Sequence, residues 1–191
     1  MTQEPRIRRP RSLAVAILVL AAAASACSAP AQTGTPDKPA ASTQAVELDS
    51  RSQPPWPAPA DVTARAAAAG LDLGPMGTAE HYHPRIQIIV KGREVPVPAG
   101  IGVDPTTGAM SALHTHESDG TIHIEADRAG EVFTLGQLFV EWGVKLTATQ
   151  IGGVQAKDGQ QVRLTSNGAA VPGDPAQLRL EPDQQIVLQL P

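Results

Sequence analysis

The 191-residue chain has a single cysteine, Cys27, so no internal disulfide can form. It has no Gly-x-Ser-x-Gly nucleophile elbow and no glycine-rich phosphate loop, which removes two common catalytic designs. After residue 27 no apolar run reaches the roughly 20 residues that a membrane-spanning helix needs. Basic residues are also scarce there. Of 15 Lys and Arg against 19 Asp and Glu, the first 27 residues hold four basic and one acidic. The remainder carries 11 basic and 18 acidic residues, a formal −7 instead of −4. Such a balance argues against nucleic acid as a partner and is compatible with attracting cations.

The N-terminus is organised as a targeting segment. Arg6, Arg8, Arg9 and Arg11 form a basic region before the apolar run Leu13 to Ala24, which suits a signal peptide better than a membrane span. Ala24-Ser25-Ala26-Cys27 resembles the lipobox of bacterial lipoproteins, with alanine where leucine is usual. That resemblance makes residues 1–27 a lipoprotein signal peptide and Cys27 the lipidated first residue of a protein anchored on the extracytoplasmic face of the cell membrane. Lipidation would also remove the one candidate cysteine nucleophile. Cleavage just before Cys27 would instead give a secreted protein. Residues 28–59 are rich in Ala, Pro, Ser and Thr and are expected to be a disordered tether, since so little apolar surface cannot offset the entropy of ordering. Whether Trp56, within the Pro-rich run that ends it, docks on the folded part stays open.

Residues 60–191 are expected to form a single domain. Asp61 is placed to cap a short helix from Val62 to Ala69, stopped by Gly70. Ile86, Ile88 and Val90 alternate as in a strand, Lys91-Gly92-Arg93 turns, and Glu94 to Pro98 returns as an edge strand because two prolines lack ladder donors. Thr134 with Gln137 makes a capping box for a helix over 134–142, with Leu135, Leu138, Phe139 and Trp142 on its apolar face. Leu146 to Ile151 reads as a further strand. A hairpin follows around Asn167-Gly168, then strands at Leu178 to Leu180 and Ile186 to Leu190. The pattern is α+β, a mixed or antiparallel sheet of hairpins with one main helix packed on it, and its element order is reminiscent of β-grasp proteins.

All five histidines fall between His81 and His123. Residues Leu113 to Glu125, LHTHESDGTIHIE, alternate apolar and polar around Ser118-Asp119-Gly120, a hairpin signal. A two-residue loop sets His114 opposite Glu125; a four-residue loop, Glu117 to Gly120, sets it opposite His123. Either even loop places His114, His116, His123 and Glu125 on one face and Leu113, Thr115, Ile122 and Ile124 on the other. In a strand, His-x-His sets two imidazoles about 7 Å apart at Cα on one side, able to converge on one ion. A third ring completes the set that holds Zn²⁺ with an open position. His81 and His83 add ligands or form a second site.

Imidazole-rich sites suit copper or zinc, with Glu80, Glu117, Asp119 and Glu125 available as direct or supporting groups. Met110 shares the strand parity of His114, and a thioether would favour Cu(I). The bland alternative is a solvated or pH-sensitive histidine face.

His81-Tyr82-His83, then Leu113-His-Thr-His-x-x-x-Gly-x-Ile-His-x-Glu125, then Phe133-Thr-Leu-Gly-Gln-x-Phe-x-x-Trp-Gly143 resemble a family of small exported prokaryotic lipoprotein domains, actinobacterial in type. The resemblance covers His81 to Gly143, and more weakly the chain through Asn167-Gly168. It supports the domain limits and brings no activity with it. The function expected is a lipid-anchored protein that binds copper or zinc through His114, His116, His123, His81, His83 and Glu125, in metal capture, delivery or tolerance. The alternatives are a small metal-dependent hydrolase or lyase, with Glu125 or Glu117 as base, and a structural lipoprotein of the cell envelope that binds no metal.

Overall fold

The computed structural model describes residues 47–191; the signal segment, Cys27 and the tether up to residue 46 lie outside the described residues. The first helix or strand among the described residues is helix α1, Val62–Ala68. Asp61 precedes it as expected, but its carboxylate caps no backbone amide and instead accepts from Arg65 Nε at 3.2 Å. Strands β1 (Glu80–Tyr82), β2 (Arg85–Val90) and β3 (Arg93–Val95) follow. Then come β4 (Leu113–His114), β5 (His123–Ala126) and helix α2 (Leu135–Trp142). The remaining strands are β6 (Leu146–Thr147), β7 (Gln150–Ile151), β8 (Val154–Gln155), β9 (Arg163–Ser166), β10 (Ala169–Ala170) and β11 (Gln185–Leu190). The fold is α+β.

The main sheet has the order β10-β9-β11-β2-β3. In β2 the residues alternate across the pleat, so Ile86, Ile88 and Val90 are buried while Arg85 and Gln87 face out. Its partner β11 does the same with Ile186, Leu188 and Leu190. The two run parallel in register, Arg85 beside Gln185 and Val90 beside Leu190. A parallel pair needs a long crossover, and α2 lies within it. β3 takes the sheet edge, where Pro96 and Pro98 directly after it cost no ladder bond. At the opposite edge Asn167 and Gly168 both have positive φ, 51° and 79°, as a type I′ hairpin turn between β9 and β10 requires. An early hairpin, a helix and late strands is the element order expected from the sequence; the parallel pairing of the last strand with β2 is what the structure adds.

Helix α2 begins with the expected capping box. Thr134 Oγ1 accepts from Gln137 N at 3.3 Å, and Gln137 Oε1 accepts from Thr134 N at 2.9 Å. Leu135, Leu138, Phe139 and Trp142 are buried, which at about 1.5–3 kcal/mol per large apolar side chain holds the helix on the core far more strongly than its own propensity. The helix packs on α1, the turn Pro175–Gln177 and β4.

Three expectations are corrected. Leu146 to Ile151 is not one strand; it is β6 and β7, folded back on each other with Thr147 opposite Gln150. The segment Leu178 to Leu180 makes only an isolated bridge, Arg179 to Thr134. The stretch from residue 47 to 59, expected as the end of the tether, packs on the domain. Asp49 N donates to Gly143 O at 2.7 Å and bridges Val144. Trp56 is 3% exposed, meets the Trp142 ring edge-on at 5.9 Å, and Trp142 Nε1 donates to Pro57 O at 3.0 Å. One buried indole removes about 150–250 Å² from water. At about 25 cal/mol per Å² that is roughly 4–6 kcal/mol, which together with the backbone bonds offsets part of the entropy cost of ordering the segment.

Candidate metal centre

The histidines are arranged by the three-stranded sheet β1-β5-β4, with β5 in the middle. On one side β5 pairs with β1, His81 opposite Glu125 and Tyr82 opposite Ile124. On the other it pairs with β4, His114 opposite His123 and Leu113 opposite Ile124. Parity then does the sorting. Leu113, Ile122 and Ile124 are fully buried on the core face, and His81, Glu125, His123 and His114 share the other.

The register is that of the wider loop. Beyond the His114–His123 pair, however, the strands part, and the expected tight turn does not form. Thr115 leaves to bond Ile101 and Gly100 through its backbone, and its Oγ1 donates to Pro98 O at 2.8 Å. Thr121 instead bridges Arg85, and Gly120 O accepts from Ile86 N at 2.8 Å. Gly120 has φ 86°, and a Cβ there would strike the Ile86 carbonyl. Asp119 holds this loop by accepting from Thr121 N at 2.9 Å and pairing with Arg85 at 3.2 Å. The loop is thereby tied to β2, next to the segment that carries His81 and His83.

The rings converge in two groups. His114 Nε2 and His116 Nε2 are 3.1 Å apart, and so are His81 Nε2 and His83 Nε2. Two nitrogens that share a tetrahedral ion at about 2.0–2.1 Å lie about 3.3 Å from each other, so both pairs are near a coordination edge. His123 stands between them. It stacks on His114 at 5.3 Å and meets His116 at 4.7 Å and His83 at 4.6 Å edge-on. His114, His116 and His123, and separately His81, His83 and His123, each present ligand atoms within 4.8 Å of one another. Histidine groups able to hold a metal ion are therefore present.

The groups differ in setting. His114 is fully buried, and its Nδ1 donates to the Ser111 carbonyl at 2.8 Å. A carbonyl only accepts, so Nδ1 carries the proton and Nε2 keeps a lone pair directed at His116. Burial drives the His114 pKa down to about 4. The Ser111 bond opposes that shift, and the neighbouring His116 and His123 add to it. The ring is neutral at pH 7 and ready to ligate. His83 is also shifted down, first by desolvation and then by His123 and His81.

Glu125 Oε1 is 3.4 Å from His81 Nε2, while its buried Oε2 has no hydrogen-bond partner. Glu117 Oε2 is 3.1 Å from His123 Nε2. Glu125 thus stands beside the His81–His83 group, and Glu117 beside His123, which both groups share. Two other candidates are committed elsewhere: Glu80 accepts from Gly130 N at 2.7 Å, and Asp119 serves the loop. Met110 exchanges backbone bonds with Gly74 and lines a cavity with Glu125. The Ser111 carbonyl, which sets the His114 tautomer, has no signal in a sequence because every residue carries a carbonyl. A cavity of about 600 Å³ beside Pro54, Pro55, Val95, Pro96 and Val154 has no histidine in its wall. Comparison of the chain with protein-family models, with curated proteins and with solved structures gives no match to any of them.

Proposed function

We propose that this chain is an extracytoplasmic lipoprotein, anchored at the membrane through Cys27, that binds copper or zinc through its clustered histidines for metal capture, delivery or tolerance. The observation that carries the metal reading is the buried His114, its Nδ1–H held by the Ser111 carbonyl and its Nε2 set 3.1 Å from His116 Nε2. A solvated histidine face has no use for a fully desolvated ring with a fixed tautomer, whereas metal ligands regularly have such a partner on the far nitrogen. Nitrogen donors with flanking carboxylates favour Cu²⁺ or Zn²⁺ over calcium or magnesium. The anchoring proposal rests on the basic region, the apolar run and Ala24-Ser25-Ala26-Cys27.

The test is titration of the purified chain with Cu(I), Cu(II) and Zn(II), followed by metal analysis after desalting. Retention of about one ion or more per chain supports the reading. Failure to retain any of the three sinks it.

A further inference from the structure

Five imidazoles within one small sheet suggest a single crowded site, but the geometry does not build one. The His81–His83 pair and the His114–His116 pair each close with His123, and among the described residues no group unites the two pairs within the same spacing. His123 is common to both. A neutral imidazole has one unprotonated nitrogen, so His123 can serve one ion at a time.

The two sets also differ in access. The His81 side chain is 60% exposed and His83 is exposed, whereas His114 is at 0%. His114 is fixed by the Ser111 carbonyl, and no comparable bond to Nδ1 of His81 or His83 forms among the described residues. The exposed pair stands beside Glu125, a residue 7% exposed whose Oε1 is 3.4 Å from His81 Nε2 and whose Oε2 is buried without a partner.

We infer that the histidines form two alternative seats for one transition-metal ion: an inner resting seat of His114, His116 and His123, and an outer exchange seat of His81, His83 and His123. This rests on the metal-binding reading above. Movement between the seats is ligand substitution. Bonds to His114 and His116 break as bonds to His81 and His83 form, His123 stays bound, and each ring keeps the proton on its other nitrogen. No electron or proton has to be supplied. Glu125, beside His81, offsets the charge of the ion in the outer seat, and Glu117, beside the shared His123, does so in either seat. The outer seat is where a donor or acceptor of the ion, itself bearing nitrogen or carboxylate ligands, would gain access.

Zn(II) is the probe, with the full chain, equilibrium titration for affinity and stoichiometry, and stopped-flow transfer to a chromophoric chelator for exchange. His81→Gln/His83→Gln and His116→Gln change exposed side chains, and circular dichroism checks that each variant folds. The wild type should bind one equivalent tightly. In H81Q/H83Q transfer to the chelator should slow by about tenfold or more, with a smaller loss of affinity than in H116Q; H116Q should lose more than about tenfold in affinity, with transfer no slower. Two equivalents of similar affinity would overturn the inference in favour of a bridged pair. Equal affinity losses in the two variants, or an unchanged transfer rate in H81Q/H83Q, would overturn it as well. A wild type that binds no zinc at all refutes zinc binding itself, an outcome distinct from the others.

Discussion

Glu141 offers a sharp test of the packing around the candidate metal centre. It lies on α2 on the side turned toward Gly102 and Ser111, is 1% exposed, and neither carboxylate oxygen has a hydrogen-bond partner. The Ser111 hydroxyl nearby is committed to the Leu113 carbonyl at 2.6 Å. Burial pushes the Glu141 carboxyl up from 4.5 to about 8, with Ser111 opposing the shift. Between those two values the unfolded chain has ionised Glu141 while the folded chain still keeps the proton. The folded state binds more protons there, so its stability is fullest below pH 4.5 and falls as pH rises, levelling off above about 8. At about 1.4 kcal/mol per pH unit this amounts to roughly 5 kcal/mol, a large share of a typical domain's stability. Glu141→Gln keeps the shape and removes the titration. Urea unfolding followed by tryptophan fluorescence, with metal chelated, at pH 5, 7 and 9 gives the stability of both proteins. The variant costs up to about 2 kcal/mol at pH 5, where its amide lacks partners. Relative to wild type it should then gain roughly 3–5 kcal/mol between pH 5 and 9, because every other titration is common to both and cancels. Stability curves that stay parallel over that range would refute the assignment of Glu141 as a buried, proton-holding carboxyl.

Other consequences are simpler to read. His114→Ala/His116→Ala should lower zinc or copper affinity by more than about tenfold, measured by chelator competition; a smaller loss removes these two as ligands. Gly120→Ala should cost about 2 kcal/mol or more in urea unfolding, since alanine is strained at this φ and has to displace the Ile86 carbonyl. Trp56→Ala should cost about 3–5 kcal/mol and expose residues 47–59 to limited proteolysis, whereas a loose tether would show no change. Thr134→Ala should lower stability by about 1 kcal/mol through the lost cap.

What could be read from the sequence was whatever depends on period or on local chemistry. Thr134 and Gln137 mark a helix start through atoms three residues apart, and Asn167-Gly168 marks a turn through its own backbone. Strand parity placed the histidines and the isoleucines on opposite faces correctly, because parity needs no knowledge of partners. The failures came where a distant partner decides. Asp61 has the chemistry of a cap but found Arg65, and the loop after His114 gave up its tight turn because Thr115 bonds more fully with Pro98 and Ile101 than a hairpin would allow. Whether Trp56 docks stayed open in the sequence because its pocket is made by residues some ninety positions away. How His81 and His83 stand to the other three rings was illegible for the same reason. It depends on β1 pairing with β5 across more than forty residues.

The parallel pairing of β2 with β11 has a consequence for the order of events. It joins Arg85 to Gln185, so a loop of roughly a hundred residues must close before the main sheet has its centre, and such long-range closure slows folding. The loop that carries His116 and Glu117 is docked on β2 through Gly120 and Arg85, and β2 is half of that central pair. A nascent chain that still lacks residues 185–190 has the histidines but not the frame that aims them. On the metal-binding reading, the geometry that brings the rings together is therefore a late event, coupled to completion of the fold.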